Sequence, residues 1–190
     1  FSSLSENPSI LDRTVKVTLT DGDGGTSNSP TKTVKVVAKN DAPVIGAFDT
    51  AVTYTENALP VVLDTNATIV DSDSFDLATG KLTVSILTNA QTTDRIGIKH
   101  VGTAANQIGV NGTTVTYGGV DIGTFTGTTT LIVNLNTAAT PIAVQALLRS
   151  ITFSSLSENP SILDRTVKAT LTDGDGGTSN SSTKTVKVVA

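Results

Sequence analysis

The chain contains no cysteine, methionine or tryptophan, and its only histidine is His100. Without cysteine, disulfide bonds and thiolate metal sites are excluded. Histidine is the side chain that most often transfers protons near neutral pH, so its scarcity argues against acid–base catalysis. No stretch approaches the roughly 18 consecutive apolar residues that a transmembrane helix needs, and we expect no membrane insertion. We therefore expect a protein without an active site.

Charge and composition narrow the possible partners and the fold. The formal net charge is −4, which argues against nucleic acid as a partner because phosphates attract clustered lysine and arginine. The same negative charge suits divalent cations. The chain has 34 threonines, and these β-branched residues, with valine and isoleucine, favour strands. The composition therefore predicts an all-β protein.

An internal repeat is the strongest feature of the sequence. The N-terminal hairpin segment (1–38) recurs 152 positions later as the C-terminal hairpin segment (153–190), and the two differ at only two of 38 positions. The differences are Val17 against Ala169, and Pro30 against Ser182. Such identity indicates recent tandem duplication. We expect residues 1–38 to be the last strands of a preceding repeat, residues 39–43 to be an interdomain junction, and residues 42–190 to be one complete repeat.

Alternating patterns predict the strands of each hairpin segment. Val15, Val17 and Leu19 alternate with polar residues, which is typical of a strand with one buried face. Val34 and Val36 alternate in the same way, and the Gly-rich loop 21–31 connects the two strands. Further strands are predicted at Val52–Thr55, Val61–Leu63, Thr68–Val70, Lys81–Leu87, Arg95–Ile98, Thr113–Tyr117, Val120–Phe125 and Thr130–Leu135.

One helix is predicted near 141–149. Thr140 can cap it, Pro141 suits its first turn, and apolar residues from Val144 to Ile151 follow the helical spacing. A short helix among many strands separated by turns indicates an antiparallel β-sandwich with one helical crossing. We therefore predict an all-β antiparallel sandwich of the immunoglobulin or cadherin type.

Acidic residues concentrate in turns. Asp21 and Asp23 recur in the second copy as Asp173 and Asp175, each pair within the sequence Asp-Gly-Asp-Gly-Gly, and another pair falls within 71–73. Alternating aspartates place two carboxylates on one side of an extended loop, and calcium prefers such oxygen ligands. Aspartate and glycine are also common turn formers, so the pattern alone fits an ordinary hairpin loop equally well. It lacks the ligand spacing of an EF-hand.

The junction Lys39–Asn40–Asp41–Ala42–Pro43–Val44 resembles the linker of cadherin-like tandem repeats in large secreted bacterial adhesins of the RTX type. The segment 140–152, TPIAVQALLRSIT, is similar to a segment of such repeats. This resemblance implies an extended array at the bacterial cell surface, calcium binding and cell adhesion. It also implies one intradomain cluster of Glu56, Asp71, Asp73, Asp173 and Asp175. Asp21, Asp23, Asn40 and Asp41 would lie near the interdomain junction.

These observations favour a calcium-stiffened extracellular spacer whose partners are neighbouring repeats of the same chain. Near-identical copies add length to a protein rather than new specificity. Two alternatives remain: an adhesive module that recognises a glycan or a partner surface, and an accessory domain of a secreted enzyme. Because an isolated hairpin is only marginally stable, we expect residues 1–38 to be either mobile or packed by strand exchange between copies.

Overall fold

The computed structural model describes all 190 residues, which form two compact units, residues 1–39 and residues 40–190. Asn40 and Asp41 of the predicted junction thus belong to the second unit. Each unit is described separately below.

Unit 1 is a two-stranded antiparallel hairpin formed by β1 (Arg13–Lys16) and β2 (Thr31–Val34). Strand β1 ends at Lys16, before Val17 and Leu19 of the predicted strand, and unit 1 has no second layer to cover the apolar residues. Val17 and Leu19 are accordingly 61% and 70% exposed. The expectation of a strand with one buried face is therefore wrong for this copy of the hairpin.

Unit 2 contains thirteen strands and one helix, and strand bounds agree with most of the sequence predictions. The strands are β3 (Val44–Gly46), β4 (Val52–Thr55), β5 (Val61–Val62), β6 (Thr68–Val70), β7 (Lys81–Thr88), β8 (Asp94–Ile98), β9 (Ile108–Asn111), β10 (Thr114–Tyr117), β11 (Val120–Thr126), β12 (Thr130–Leu135), β13 (Ile151–Ser155), β14 (Arg165–Thr172) and β15 (Ser182–Val189).

One large sheet dominates unit 2. Its eight strands follow the order β4-β15-β14-β7-β12-β11-β10-β9, and all neighbours are antiparallel except β15 and β4. The hairpin of β14 and β15 thus lies between β7 and β4, and its inward residues Val167, Ala169 and Leu171 are fully buried. Alternation of buried and exposed residues in β14 confirms the period-two pattern for this copy.

Smaller elements cover the inner face of this sheet. They are the three-stranded sheet β5-β13-β8, the pair β3-β6, and the helix α1 (Pro141–Leu148). Tyr54 of β4 meets Phe153 of β13 edge to face, with ring centroids 5.4 Å apart. Apolar residues of both layers form one continuous core. Unit 2 is therefore an all-β, sandwich-like fold, as the composition predicts.

The helix and one tight turn confirm local sequence signals. Thr140 has an extended backbone, and its hydroxyl accepts a hydrogen bond from Ala143 N. Gly118 and Gly119 connect β10 to β11 with φ of 58° and 81°, which a side chain would disfavour. Strands β3, β9 and β13 were not predicted. Strand β13 was missed because its segment directly follows the helix, and its first apolar residue, Ile151, continues the helical spacing.

Candidate functional site

The acidic loop of unit 2 begins at Asp173, directly after β14. Asp173 Oδ1 accepts hydrogen bonds from the backbone N–H of Asp175 at 2.8 Å and of Gly177 at 2.9 Å. Gly174 and Gly176 have φ of 91° and 110°, and this conformation brings the two donors onto one oxygen. Asp173 is fully buried. The first carboxylate of the motif therefore holds its own loop closed.

Unit 1 contains the same loop with the same internal bonds. Asp21 Oδ1 accepts from Asp23 N at 3.0 Å and from Gly25 N at 2.8 Å. The loop conformation is thus encoded by five local residues and does not require the surrounding unit. Asp21, in contrast to its counterpart, is exposed. The two copies separate the local role of this carboxylate from its role in packing.

In unit 2, the loop is joined to the segment that leads into β3. The side-chain amide of Asn40 donates a hydrogen bond to Asp173 Oδ2 over 2.9 Å. The backbone N–H of the next residue, Asp41, donates to Asp73 Oδ2 over 2.9 Å. Three segments that are distant in sequence therefore meet here. We call Asn40, Asp41, Asp71, Asp73 and Asp173 the junction cluster.

A second hydrogen-bonded contact supports the junction cluster from the side. Asn180, in the connection between β14 and β15, accepts from Ile45 N at 2.9 Å and donates to Ile45 O at 2.9 Å. This paired arrangement holds the start of β3 against the end of the acidic loop. The segment from Asn40 to Ile45 is thus bonded to the β14–β15 connection at both of its ends.

The carboxylate of Asp71 is only partly hydrogen-bonded. Its Oδ1 accepts from Ser74 N at 3.1 Å, whereas its Oδ2 is buried and has no hydrogen-bond donor. Burial raises the pKa of Asp71, bonds from Ser74 lower it, and the adjacent Asp73 carboxyl raises it further, so that the net direction is upward. The ionised form of Asp71 is therefore disfavoured in this environment.

The pKa of Asp173 is shifted in the opposite direction. Its burial raises the pKa, but hydrogen bonds from Asn40 and from the backbone of Asp175 and Gly177 outweigh burial, and the pKa of Asp173 is lowered overall. Hydrogen bonds to the charged form stabilise the carboxylate. Asp173 is thus held ionised by protein donors, and most of its acceptor capacity is already used. It acts first as an anchor of the loop.

The remaining predicted site residues lie outside the junction cluster. The side chain of Asp175 is exposed, and only its backbone N–H takes part in the loop. Asp21 and Asp23 are exposed in unit 1. Of the predicted ligands, the structure therefore brings together Asn40, Asp41, Asp71, Asp73 and Asp173.

Glu56 is not part of this cluster. It follows β4, and its backbone N–H donates to Val189 O, at the last residue of β15. The acidic loop precedes Ser182, the first residue of the same strand. The eight-residue length of β15 separates these ends by about 23 Å. The expectation of one cluster that includes Glu56 is therefore wrong. Strand β4 pairs parallel to β15, so Glu56 lies at the C-terminal end of β15, whereas the acidic loop lies near its N-terminal end.

The oxygen atoms that the junction cluster offers as ligands suit a hard cation. Its side chains offer only carboxylate and amide oxygens, which calcium prefers over nitrogen or sulfur ligands. The buried Oδ2 of Asp71 is an acceptor that a cation could satisfy. No group of three or more acidic, histidine or cysteine side chains converges closely enough in the chain to form a complete metal site. The cluster is thus a partial oxygen-ligand set.

Two buried ion pairs were not predicted from the sequence. Arg165 Nε lies 3.0 Å from Asp94 Oδ2, with both side chains fully buried. Lys184 Nζ bonds to Asp64, and it also donates to Thr50 Oγ1 over 3.1 Å. Both cations belong to the C-terminal hairpin segment, and both acids belong to the rest of unit 2. The sequence did contain a signal for these buried cations, because Arg165 and Lys184 fall at the alternating positions of their strands that face the core.

Comparison with known proteins assigns the chain to no family. No protein-family model matches the chain, and no curated protein matches it significantly. None of its helices combines the length and apolar character needed to cross a membrane.

Proposed function

We propose that this chain is a structural repeat of a bacterial surface adhesin, and that calcium bound at the junction cluster stiffens it. The proposal rests mainly on one observation: the segment entering unit 2 is bonded through Asn40 and Asp41 to two separate acidic turns. A cluster in this position controls how firmly the start of the repeat is attached to its body.

Electrostatics explains why a divalent ion would matter here. Asp71 and Asp73 lie close enough to raise the pKa of Asp71, and the buried Asp71 Oδ2 has no donor. Like charges at this distance repel each other and loosen the turn. Calcium would remove the repulsion and occupy the free acceptor. Asp71 and Asp73 are the side chains that would hold it, with the backbone of Asp41 bonded to Asp73 and with Asp173 fixing the adjoining loop.

Calcium would act through preferential binding to the folded state. Such binding adds RT ln(1 + [L]/Kd) to stability, about 2.7 kcal/mol at a hundredfold excess over Kd. Extracellular modules commonly have dissociation constants of about 10⁻⁴–10⁻³ M, which external calcium can fill. An array of such repeats would be flexible at low calcium concentration and rigid at the higher calcium concentration outside the cell.

The spacer role is supported by the repeat itself. The hairpin segments are identical at all but two of 38 positions. Selection for a new binding surface would diversify exposed residues between copies, whereas selection for length preserves them. Neighbouring repeats of the same chain are therefore the proposed partners, and the distal parts of the parent protein would carry recognition.

Calorimetric titration with calcium tests this function. The unaltered chain should bind calcium, and Asp71→Asn should weaken binding at least tenfold because it removes one anionic ligand. Asp21→Asn is the matched control, since Asp21 occupies an exposed loop of unit 1, and it should leave the affinity unchanged. A glycan array tests the adhesive-module alternative. Absence of calcium binding at 10 mM calcium would overturn the stiffening proposal.

A further inference from the structure

The two hairpin segments differ at a single cross-strand pair. Ala169 lies opposite Ser182 in the β14–β15 ladder. The equivalent residues of unit 1 are also joined, because Val17 N donates to Pro30 O over 3.1 Å. Ala169 is fully buried in the core, and Ser182 Oγ donates to the carbonyl oxygen of Ile45 over 3.1 Å. Both differences therefore fall where the hairpin contacts the body of its repeat.

The C-terminal hairpin segment occupies a well-defined slot in unit 2. We use "slot" for the gap between β7 and β4, with Asp94 and Asp64 at its base. Arg165 and Lys184 fill the slot and neutralise these two acids. The slot thus recognises its hairpin by strand pairing on both edges and by two buried charges.

The N-terminal hairpin segment carries the same recognition features. Arg13 and Lys32 stand where the second copy has its two buried cations, and neither forms a salt bridge in unit 1. Val15 and Leu19 occupy the positions of fully buried core residues and are exposed in unit 1. This hairpin therefore presents the apolar face and the charges that the slot accepts.

We propose that the slot is exchangeable and also accepts the N-terminal hairpin segment of a second copy of this chain. Arg13 and Lys32 of one copy then pair with Asp94 and Asp64 of the other. Every slot still holds one hairpin, so the buried apolar area hardly changes on exchange. The exchanged fraction depends on effective concentration and on how well the incoming hairpin fits.

The geometry favours a second copy over the same chain as the source of the hairpin. In the slot, Val37 would take the place of Val189, at the far end of β15 from Ile45. The eight steps from Val37 to Ile45 span at most about 29 Å, and about 23 Å of strand must be covered. The connection would have to span about four fifths of its maximum length, and Asn40 would lose its bond to the acidic loop.

The differing pair sets the preference for the native hairpin. Valine in place of Ala169 adds two carbon atoms to a close-packed position. Proline in place of Ser182 lacks the hydroxyl that bonds to Ile45. The Val17–Pro30 pair thus makes the N-terminal hairpin segment the poorer occupant, and exchange is restricted without being prevented.

Disulfide trapping tests the exchange, since the chain has no cysteine of its own. Thr166 Oγ1 lies 2.9 Å from Thr88 Oγ1, and Thr14 is the equivalent of Thr166 in the first copy. The double variant Thr14→Cys/Thr88→Cys should therefore form disulfide-linked dimers on mild oxidation. Thr33→Cys/Thr88→Cys is the matched control, because residue 33 would lie two strands away, at about 10 Å, beyond disulfide reach.

Two further changes are made in the Thr14→Cys/Thr88→Cys background. Val17→Ala/Pro30→Ser makes the hairpins equal and should raise the dimer fraction at least about fivefold. Arg13→Met removes the partner of the buried Asp94 and should reduce dimers to the control level. The proposal would be overturned if neither change altered the fraction of disulfide-linked dimers, or if that fraction equalled the fraction in the Thr33→Cys/Thr88→Cys control. Disulfides formed only within single chains would also overturn it.

Discussion

The side-chain amide of Asn40 donates a 2.9 Å hydrogen bond to Asp173, although 133 positions separate the two residues. The same aspartate closes its own loop through two backbone donors. One buried carboxylate therefore links the start of unit 2 to its last hairpin. The copy of this loop in unit 1 has the internal bonds alone, which provides an internal control for the effect of the long-range contact.

Asp173→Ala should lower the free energy of unfolding of unit 2 by about 3 kcal/mol, because it leaves three donors without their acceptor. Asp21→Ala makes the same change in the exposed loop and should cost less than about 0.5 kcal/mol. Urea denaturation followed by circular dichroism measures both. Equal effects of the two substitutions would contradict the role given to the long-range bond.

Arg165→Met should destabilise unit 2 by about 3–5 kcal/mol, since it leaves the buried Asp94 carboxylate without its cation. Arg13→Met alters the equivalent residue of unit 1 and should change the stability of unit 2 by no more than about 0.5 kcal/mol. Thermal unfolding of both variants tests the pair. A small loss in Arg165→Met would show that the ion pair contributes little.

Gly177→Ala should weaken the junction more than Gly25→Ala. A Cβ on either glycine would lie 2.1 Å from the carboxylate of its own loop. Only at Gly177 would it also lie 2.8 Å from the Cα of Ala42, within the junction. We expect hydrogen exchange at residues 40–45 to accelerate in Gly177→Ala and to remain unchanged in Gly25→Ala. Similar exchange in both variants would argue against this contact.

The two shifted carboxyls predict opposite pH effects in the absence of metal. The pKa of Asp173 is lowered in the folded state, so its contribution is complete above the ordinary value of about 3.9 and is lost as the pH falls through the lower folded pKa. The pKa of Asp71 is raised, so its contribution is present at acid pH and is lost as the pH rises through the raised value.

Denaturation at a series of pH values from 2 to 7, in chelator, checks these signs. The stability difference between the unaltered chain and Asp173→Ala should shrink as the pH falls below about 4. Asp71→Asn should gain stability relative to the unaltered chain as the pH rises above about 4 and through the raised pKa of Asp71. A constant difference for either variant across this range would contradict the assigned direction of its pKa.

Local sequence signals predicted much of unit 2. Helix α1 follows from the cap at Thr140 and from the spacing of its apolar residues, and the Gly118–Gly119 turn follows from two adjacent glycines. Both depend on a few neighbouring residues. Similarly, the loop at Asp173 adopts the same conformation in both copies, so its internal bonds are encoded by the five-residue motif.

Long-range pairing limited the prediction of the site. The position of Glu56 depends on β4 pairing parallel to β15, and nothing in the local pattern specifies the direction of a strand partner. Asp94 and Asp64 look like ordinary turn and strand-end residues until their cations are placed. The inward positions of Arg165 and Lys184 could have predicted that buried acids exist, although not which acids they are.

The central claim is that calcium relieves the uncompensated charge at Asp71, and thermal unfolding of the unaltered chain and Asp71→Asn tests it most directly. In excess chelator, Asp71→Asn should melt at the same or a higher temperature than the unaltered chain. In 10 mM calcium the order should reverse, because only the unaltered chain retains the full set of anionic ligands. A melting temperature of the unaltered chain that is the same in calcium and in chelator would contradict the account.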